Sequence, residues 1–343
     1  MHEPYHCIGL DIHKRTISFC AKRPDGKTVG AGTFRASRAC IAQWAAERTL
    51  PWIGGMEATL FTGFVYDVLT PYAMELQVGH PLALKAISCA KHKSDRIDAE
   101  TLANLLRADL FPACHMPSPL MRELRRVLRY RNFLVRQAVA MKNKTTGLLM
   151  EVGVQYDSER IHRQGYFYDL LDNIEETPNS VRELLRTTRC GLEMFQSAQK
   201  QLLGALKKHG HLRERVTRLM SIDGVGETTA LTWALEIDDP ARFSNLKKVQ
   251  SYCGLCSGRN ESAGKNKRAP LSKQRNPHLQ TILIEAAKLA PRWNTQLAQL
   301  HANVIECGYN RNRATCAVAR KLVAYLMAVD KSGQDYRERR IAT

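Results

Sequence analysis

The chain has 343 residues, 44% of them hydrophobic and 24% charged, at a mean hydropathy of −0.34. That composition excludes a disordered tail protein or a fibrous repeat, and no run of about 18 uncharged apolar residues offers a membrane span. Lys and Arg number 51 against 33 Asp and Glu, a formal charge of +18 and a pI near 9.6, which points to a polyanionic partner, nucleic acid first. At roughly 100–200 residues per domain the length predicts two or three domains. The start, MHEPYHCIGLDIHK, has no basic segment followed by an apolar one, and the ten cysteines form no framework. A cytoplasmic protein with reduced thiols is therefore expected.

The runs CIGLDI, TISFCAK and TVGAGTFRA read as three strands, the second and third joined by a turn at Asp25–Lys27. A helix from about Cys40 to Arg48 follows, then WIGGMEA as a fourth strand and, after another helix, MELQVGH as a fifth. Three antiparallel strands followed by alternating helices and strands predict an α/β sheet of ribonuclease-H type over residues 1–115. Residues 116–212 read as helical, with one helix over Arg122–Leu149 and breaks at Gly153, Gly165 and Pro178. Leu185, Thr188, Leu192, Phe195, Gln199, Leu202 and Leu206 make a heptad seam, which serves equally a coiled coil between subunits or a helix pair within one chain. Residues 213–343 form a third, mostly helical region. It holds a Gly-rich turn, a basic loop from Cys256 to Pro277 and two helices toward the C-terminus.

Asp11 ends the first apolar run, and alternation along a strand turns it away from Ile8, Leu10 and Ile12. Glu57 ends WIGGME beside a glycine pair in the same way. Either acid alone reads more readily as plain surface. Asp95 and Asp98 open the helix SDRIDAETLANLL behind Ser94 as N-cap. Acids in a first helical turn complement the helix dipole whatever their function. At about 100° per residue, however, Asp95, Asp98, Leu102, Leu105 and Leu106 share an arc of roughly 100°, while Arg96, Glu100 and Arg107 lie opposite. Carboxylates aimed at a sheet need a partner. A divalent ion held by Asp11, Glu57, Asp95 and Asp98 supplies one, and oxygen ligands suit Mg²⁺ or Mn²⁺. With a basic surface to hold the strand, such a site permits attack on a phosphodiester.

The basic loop sets Arg259, Lys265, Lys267, Arg268, Lys273 and Arg275 against one acid, Glu261, with Ser262 among them. A nucleophilic serine needs a base or metal, and cations for the phosphate. The loop offers cations and no base, so by chemistry alone Ser262 reads first as a turn residue, with Ser257 and Ser272 as rivals. Upstream, SIDGVGETTA joins two helices through Gly224 and Gly226 and resembles a helix-hairpin-helix DNA-binding turn, although Asp223 stands where proline is usual. A simple αα corner is the alternative. Cys253 and Cys256 form a lone CxxC, two ligands short of a zinc site. Arg122, Arg125, Arg126, Arg129, Arg131, Arg136, Lys142 and Lys144, against Glu123 alone, read as a helix face that tracks phosphates.

In order and spacing, GLDIHKRT, GMEAT and KSDRIDAETLANLL, then LMSIDGVGETTALTWALEI and YCGLCSGRNESAGKNKR, resemble the DEDD transposases of insertion-sequence family 110 and their pilin-inversion relatives. The resemblance covers nearly the whole chain. It implies a RuvC-like N-terminal domain, a coiled-coil insertion and a C-terminal transposase domain carrying a nucleophilic serine. It gives the acidic roles to Asp11, Glu57, Asp95 and Asp98, and the serine role to Ser262. It also implies a homo-oligomer, dimer or tetramer, that recombines donor and target DNA under a structured guide, the bridge RNA, at the bacterial nucleoid. Ala263 stands where the family usually has glycine, and Cys256-Ser257 where a proline commonly follows GL.

The leading expectation is thus a site-specific recombinase forming a phosphoserine link. Exchange at two DNA sites needs two serines, and the Leu185–Leu206 seam is an apolar surface for joining subunits. The alternatives are a RuvC-like nuclease using metal-activated water, a sugar- or acetate-kinase-like fold and a non-catalytic nucleic-acid scaffold. His13 and Lys14, standing where a kinase has its Gly-rich phosphate turn, speak against the second of these.

Overall fold

The first three β-branched runs form consecutive antiparallel strands, β1 (His6–Ile12), β2 (Thr16–Lys22) and β3 (Thr28–Arg35). The Asp25 carboxylate closes the second hairpin by accepting the Lys27 N–H at 2.9 Å. They open a unit spanning Met1–Pro119, one of two into which the chain divides; the other is Leu120–Thr343. A computed structural model describes residues 5–87, 94–174, 177–262 and 265–338, with the backbone alone across 259–262 and 265–269.

In the first unit the chain continues through α1 (Arg38–Ala46), β4 (Trp52–Glu57), α2 (Thr62–Leu69), β5 (Glu75–Gly79), α3 (Pro81–Ile87), α4 (Asp95–Arg107) and the short β6 (Ala113–Cys114). The sheet order is β3-β2-β1-β4-β5-β6. Strands β1, β4 and β5 run parallel, and β6 returns antiparallel to β5. β6 has no counterpart in the sequence reading, because two residues carry no periodicity. One face of the sheet buries Ile8, Leu10, Ile12, Ile17 and Met56 against Ile41 and Trp44 of α1 and Val65, Val68 and Leu69 of α2. Cys7, Gly9 and Asp11 therefore face the other way, toward α4.

That second face is built for close approach. Gly9 pairs with Gly55 across β1 and β4. A Cβ on Gly9 would lie 2.0 Å from the Ala99 carbonyl oxygen and 2.5 Å from the Ala103 nitrogen, and one on Gly55 would lie 2.9 Å from Leu106. Helix α4 thus lies on a floor of two glycines, with Ala99, Leu102, Ala103, Leu105 and Leu106 buried. Ser94 caps it by accepting the Ile97 N–H at 3.3 Å. On the helix's far side Lys22 reaches Glu100 at 2.8 Å.

The second unit begins with α5 (Pro119–Glu151), 33 residues and about 50 Å long. It continues with α6 (Gln164–Asn173), α7 (Asn179–Lys207), α8 (Gly210–Met220), α9 (Glu227–Ile237), α10 (Leu246–Tyr252), β7 (Ser257–Ser262), β8 (Lys265–Leu271), α11 (Pro277–Leu289), α12 (Thr295–Glu306) and α13 (Arg311–Ser332). Gly165, expected as a break, lies in the first turn of α6. The C-terminal part holds three helices, α11 to α13, where the sequence suggested two, and the expected basic loop contains an antiparallel ribbon, β7–β8. Helices α5 and α7 run antiparallel against each other within the chain. The Thr145 and Thr188 hydroxyls lie 3.1 Å apart, and Gln199 donates to the Leu134 carbonyl at 3.2 Å. Leu185, Thr188, Leu192 and Leu206 of the heptad seam are buried there. Phe195, Gln199 and Leu202 stay partly exposed, so the seam forms a helix pair within one chain along part of its length. The root of the pair, Leu124, Leu128 and Leu206, belongs to the same core as α8, α9, α11 and α13, and its far end has a core of its own around Phe167 and Leu171. Among the described residues no helix is long and apolar enough to cross a membrane.

Gly9→Ala should destabilise the first unit by about 1–3 kcal/mol or more, the usual cost of overpacking, because backbone atoms rather than flexible side chains must yield. Urea unfolding checks this, with Cys20→Ala, a truncation on the same face of the sheet, as a comparison.

Candidate active site

Asp11 and Glu57 each stand two residues beyond a paired glycine, Gly9 or Gly55, on parallel neighbouring strands. The period of two carries both acids to the face on which α4 lies, at the carboxyl ends of the strands, where open sheets bind ligands. Because Ala99 and Ala103 rest on Gly9, the first turn of α4 arrives at the same end. Asp11, Glu57 and Asp98 line one cleft of about 360 Å³, together with Leu82, Lys85 and Thr101.

Asp95 joins this group through a residue that sequence reasoning passed over. His13 Nε2 lies 3.0 Å from Asp11 Oδ2 and 3.3 Å from Asp95 Oδ1. Asp11 is mostly buried, with 16% of its side chain exposed, while His13 and Asp95, at 50% and 57%, lie open to solvent. Burial raises the Asp11 carboxyl above its ordinary value; His13 opposes the rise, and Asp95 and Asp98 add to it. Burial alone would lower the His13 value, but Asp11 and then Asp95 outweigh it and the net shift is upward. The sequence did carry a signal for His13. It follows Asp11 by two residues at the end of a strand, so the same pleat rule that turned Asp11 inward applies to it.

The donor set fits a hard divalent cation. Carboxylates from two strand ends and one helix start line one cleft, and such oxygen donors suit a hard cation. Asp11, His13 and Asp95 place ligand atoms within 4.8 Å of one another.

In the second unit, Ser262 ends β7. In the ribbon's register it stands opposite Lys265, Asn260 opposite Lys267 and Arg259 opposite Arg268. The side chains of Ser262, Arg259, Lys265, Lys267 and Arg268 lie outside the described residues. Of the rival serines, Ser257 starts β7 opposite Leu271, and Ser272 is engaged in a turn, its hydroxyl accepting the Gln274 N–H at 3.1 Å. Lys273 is exposed. Cys253 is buried in the core, where burial pushes its thiol well above the ordinary range.

The two feet of the ribbon are clamped together. The Asn276 N–H donates to the Tyr252 carbonyl at 2.8 Å, and the Asn276 side chain caps α11 by accepting the His278 and Leu279 N–H groups. Its amide also donates to Glu236 Oε2 at 2.8 Å. Glu236 is fully buried near the end of α9 and receives Arg129 of α5 through two 2.8 Å hydrogen bonds. Arg125 donates to the Leu235 carbonyl and lies 3.6 Å from Asp238. Arg125, read from sequence as a phosphate contact, is thus buried in holding α5 on α9. Arg129, drawn to an acid 107 residues downstream, contributes to the same junction with about half its side chain still exposed. Arg126, Arg136 and Lys144 are exposed on the same helix, and Arg122 is half-buried.

The α8–α9 corner is closed by Gly224 at φ +91°, where a Cβ would lie 2.6 Å from Ala290. Gly226 caps α9 with no side-chain hydrogen bond. From Thr229 to Ile237 the helix is buried throughout, so only its first turn and the corner are available to a ligand.

Residues 8–154 match a transposase family of the DEDD IS110 type, and residues 216–302 match the family described as "Transposase IS116/IS110/IS902 family". The transposase for insertion sequence element IS1328 of Yersinia enterocolitica is 24% identical to this chain, over 95% of this chain and 97% of its own length. The transposase for IS1111A of Coxiella burnetii is 24% identical over 96% and 91%. A probable family 20 transposase of Pseudomonas aeruginosa is 25% identical over 64% and 68%.

Burial by itself raises the Glu236 carboxyl, but Arg129, then Asn276 and Arg125, hold it below the ordinary value. A depressed carboxylate contributes stability above its unfolded pKa, about 4.3, that is lost as pH falls through the lower folded value. Glu236→Gln should therefore lower the neutral-pH stability of the second unit by about 1–3 kcal/mol, the cost of weakened charge-assisted hydrogen bonds, because Arg129, half exposed, can turn to solvent. It should also flatten the acid limb of the stability–pH profile below about pH 4.3, as followed by urea unfolding at stepped pH.

Proposed function

The chain belongs to the IS116/IS110/IS902 family of insertion-sequence transposases, enzymes that cut and rejoin DNA, and on that premise we propose a site-specific recombinase whose nucleophile is Ser262 and whose acids Asp11, Glu57, Asp95 and Asp98 hold Mg²⁺ or Mn²⁺. The observation that carries this reading is the cleft. Three acids from separate elements meet at the ends of parallel strands, and the fourth is tied to them through His13. The sheet order, antiparallel through β3-β2-β1 and parallel through β1-β4-β5, supports a ribonuclease-H, RuvC-like reading of residues 1–115. The α5–α7 pair takes the part of the family's coiled-coil insertion within 116–212, and 213–343 that of the transposase domain.

A bound divalent ion supplies charge that neutralises the scissile phosphate and its leaving oxygen. The protein's own groups do the rest. Asp11, Glu57 and Asp98 fix the site at the strand ends, and Lys85 adds a cation at the rim of the cleft. The Ser262 oxygen forms the bond to phosphorus, so the energy of the broken phosphodiester is kept in a phosphoserine link and no nucleotide cofactor is needed. The run of cations from Arg259 to Arg275, with Glu261 as its one acid, supports a phosphate lying on the ribbon. Gly224 and Gly226 offer backbone N–H groups to a second phosphate.

The reading includes donor and target DNA and a structured guide RNA, supported by the +18 charge and by exposed Arg126, Arg136, Lys144 and Lys273. Two DNA sites must be cut together, so at least two serines, and at least two copies of the chain, act in one complex.

Asp98→Ala, with Asp11→Ala and Glu57→Ala alongside, should abolish strand transfer while the unfolding midpoint stays near that of the parent. Full transfer by Asp98→Ala would remove the metal assignment. Ser262→Ala should abolish recombination and retain DNA binding. DNA still cut by that variant would indicate hydrolysis by a metal-activated water, and loss on Ser257→Ala or Ser272→Ala instead would move the nucleophile. Nucleic-acid affinity should fall on a log–log plot against salt with a slope near −0.9 for each phosphate neutralised on duplex DNA. A flat salt profile would contradict the basic surfaces named above.

A further inference from the structure

The loop between β1 and β2 brings an imidazole to the acids, and nothing in the DEDD reading requires one. The loop is short and fixed, because the His13 N–H donates to the Thr16 carbonyl at 2.9 Å in the turn of a tight hairpin. His13 Nε2 then stands between two carboxylate oxygens, 3.0 Å from Asp11 Oδ2 and 3.3 Å from Asp95 Oδ1. Donors sharing one ion at bonds of about 2.1 Å, at right angles, lie roughly 3 Å apart. Both distances from His13 Nε2 match the spacing of neighbouring ligands, and all three atoms lie within 4.8 Å of one another.

We propose that His13 is a fifth ligand of the divalent ion held by this cleft, giving it one nitrogen donor among oxygens and a preference for Mn²⁺ over Mg²⁺. This rests on the metal reading above and adds to it a specific donor and a specific metal. The chemistry follows from ligand type. Carboxylate and water suit Mg²⁺ and Mn²⁺ alike, whereas imidazole favours the later transition metals and is a poor partner for Mg²⁺. The other account of the same contacts keeps the proton on Nε2, so that the imidazolium serves only as a counter-charge to Asp11 and Asp95. That arrangement leaves His13 outside the coordination sphere and makes no metal preference.

The two accounts separate by spectroscopy on the full chain. The protein is loaded with Mn²⁺, and pulsed electron paramagnetic resonance is used to look for modulation by a directly bound histidine nitrogen. The proposal expects that modulation in the parent, its shift on ¹⁵N-histidine labelling and its disappearance in both His13→Ala and His13→Gln. It further expects the ratio of Mn²⁺ to Mg²⁺ affinity to fall by on the order of tenfold in those variants, since even removal of an outer-shell partner costs that much. Circular dichroism and the unfolding midpoint of the two variants establish that the fold persists, as expected for a half-exposed turn residue. Mn²⁺ bound by the parent and lost in Asp98→Ala, but with no histidine nitrogen coupling, would overturn the His13 assignment and leave the acid site standing. Nitrogen coupling that survives in both His13 variants would overturn it too. A parent that binds no Mn²⁺ would overturn the metal reading itself, and this inference with it.

Discussion

Helix α4 lies closer to strand β1 than any side chain on Gly9 would permit, with Gly55 of β4 making room for Leu106, and the candidate site follows from that contact. With its alanines resting on the glycine floor, the helix can neither slide along the strands nor lift from them without opening a void. Its first turn is thereby delivered to the strand ends at which Asp11 and Glu57 emerge. In both strands the order is glycine, one residue facing the other core, then the acid, so a single pleat supplies both the floor and the acids. Small residues and acids recur here because close packing and charge have been arranged two residues apart on one face.

The second unit solves a different problem, which is to hold a charged two-stranded ribbon in place. An isolated hairpin is marginal in water. The ribbon's feet are joined by the Asn276–Tyr252 hydrogen bond and anchored through Asn276 to Glu236, which also receives Arg129 from the long helix. A buried carboxylate with all its charge-assisted partners in place is costly to disturb and fixes one arrangement. The ribbon carrying Ser262 is thus mounted on a rigid base while its own register is set by the chain's β7–β8 pairing.

Much of this architecture is legible in the sequence, and the illegible parts have physical reasons. Strands with alternating or β-branched runs, such as CIGLDI and TISFCAK, announce themselves, as does the heptad from Leu185 to Leu206. Asp98 could be aimed inward from its angle to Leu102 and Leu105 alone. The ribbon could not be seen, because a strand made of Arg, Asn, Glu, Lys and Ser has no apolar alternation to read. The heptad seam did not say whether its partner was another chain or α5, since the same apolar spacing suits both. Arg125 was misread because a run of cations reads as solvated surface until folding buries one of them against the end of α9, beside Glu236 and its partner Arg129. His13 escaped for a related reason. A lone histidine beside an acid is common, and its meaning depends on Asp95, which only the packing of α4 delivers.

Under the proposed function, Asp11, Glu57, Asp95 and Asp98 with a divalent ion, and Ser262, serve one strand-transfer reaction. The most direct measurement traps that reaction on a DNA substrate with Mg²⁺, quenches it in denaturant, digests the protein and locates the nucleotide adduct by mass spectrometry. The account predicts one adduct, on Ser262, that forms only when the divalent ion is present. Cut DNA with no adduct, or an adduct on any other residue, would contradict it.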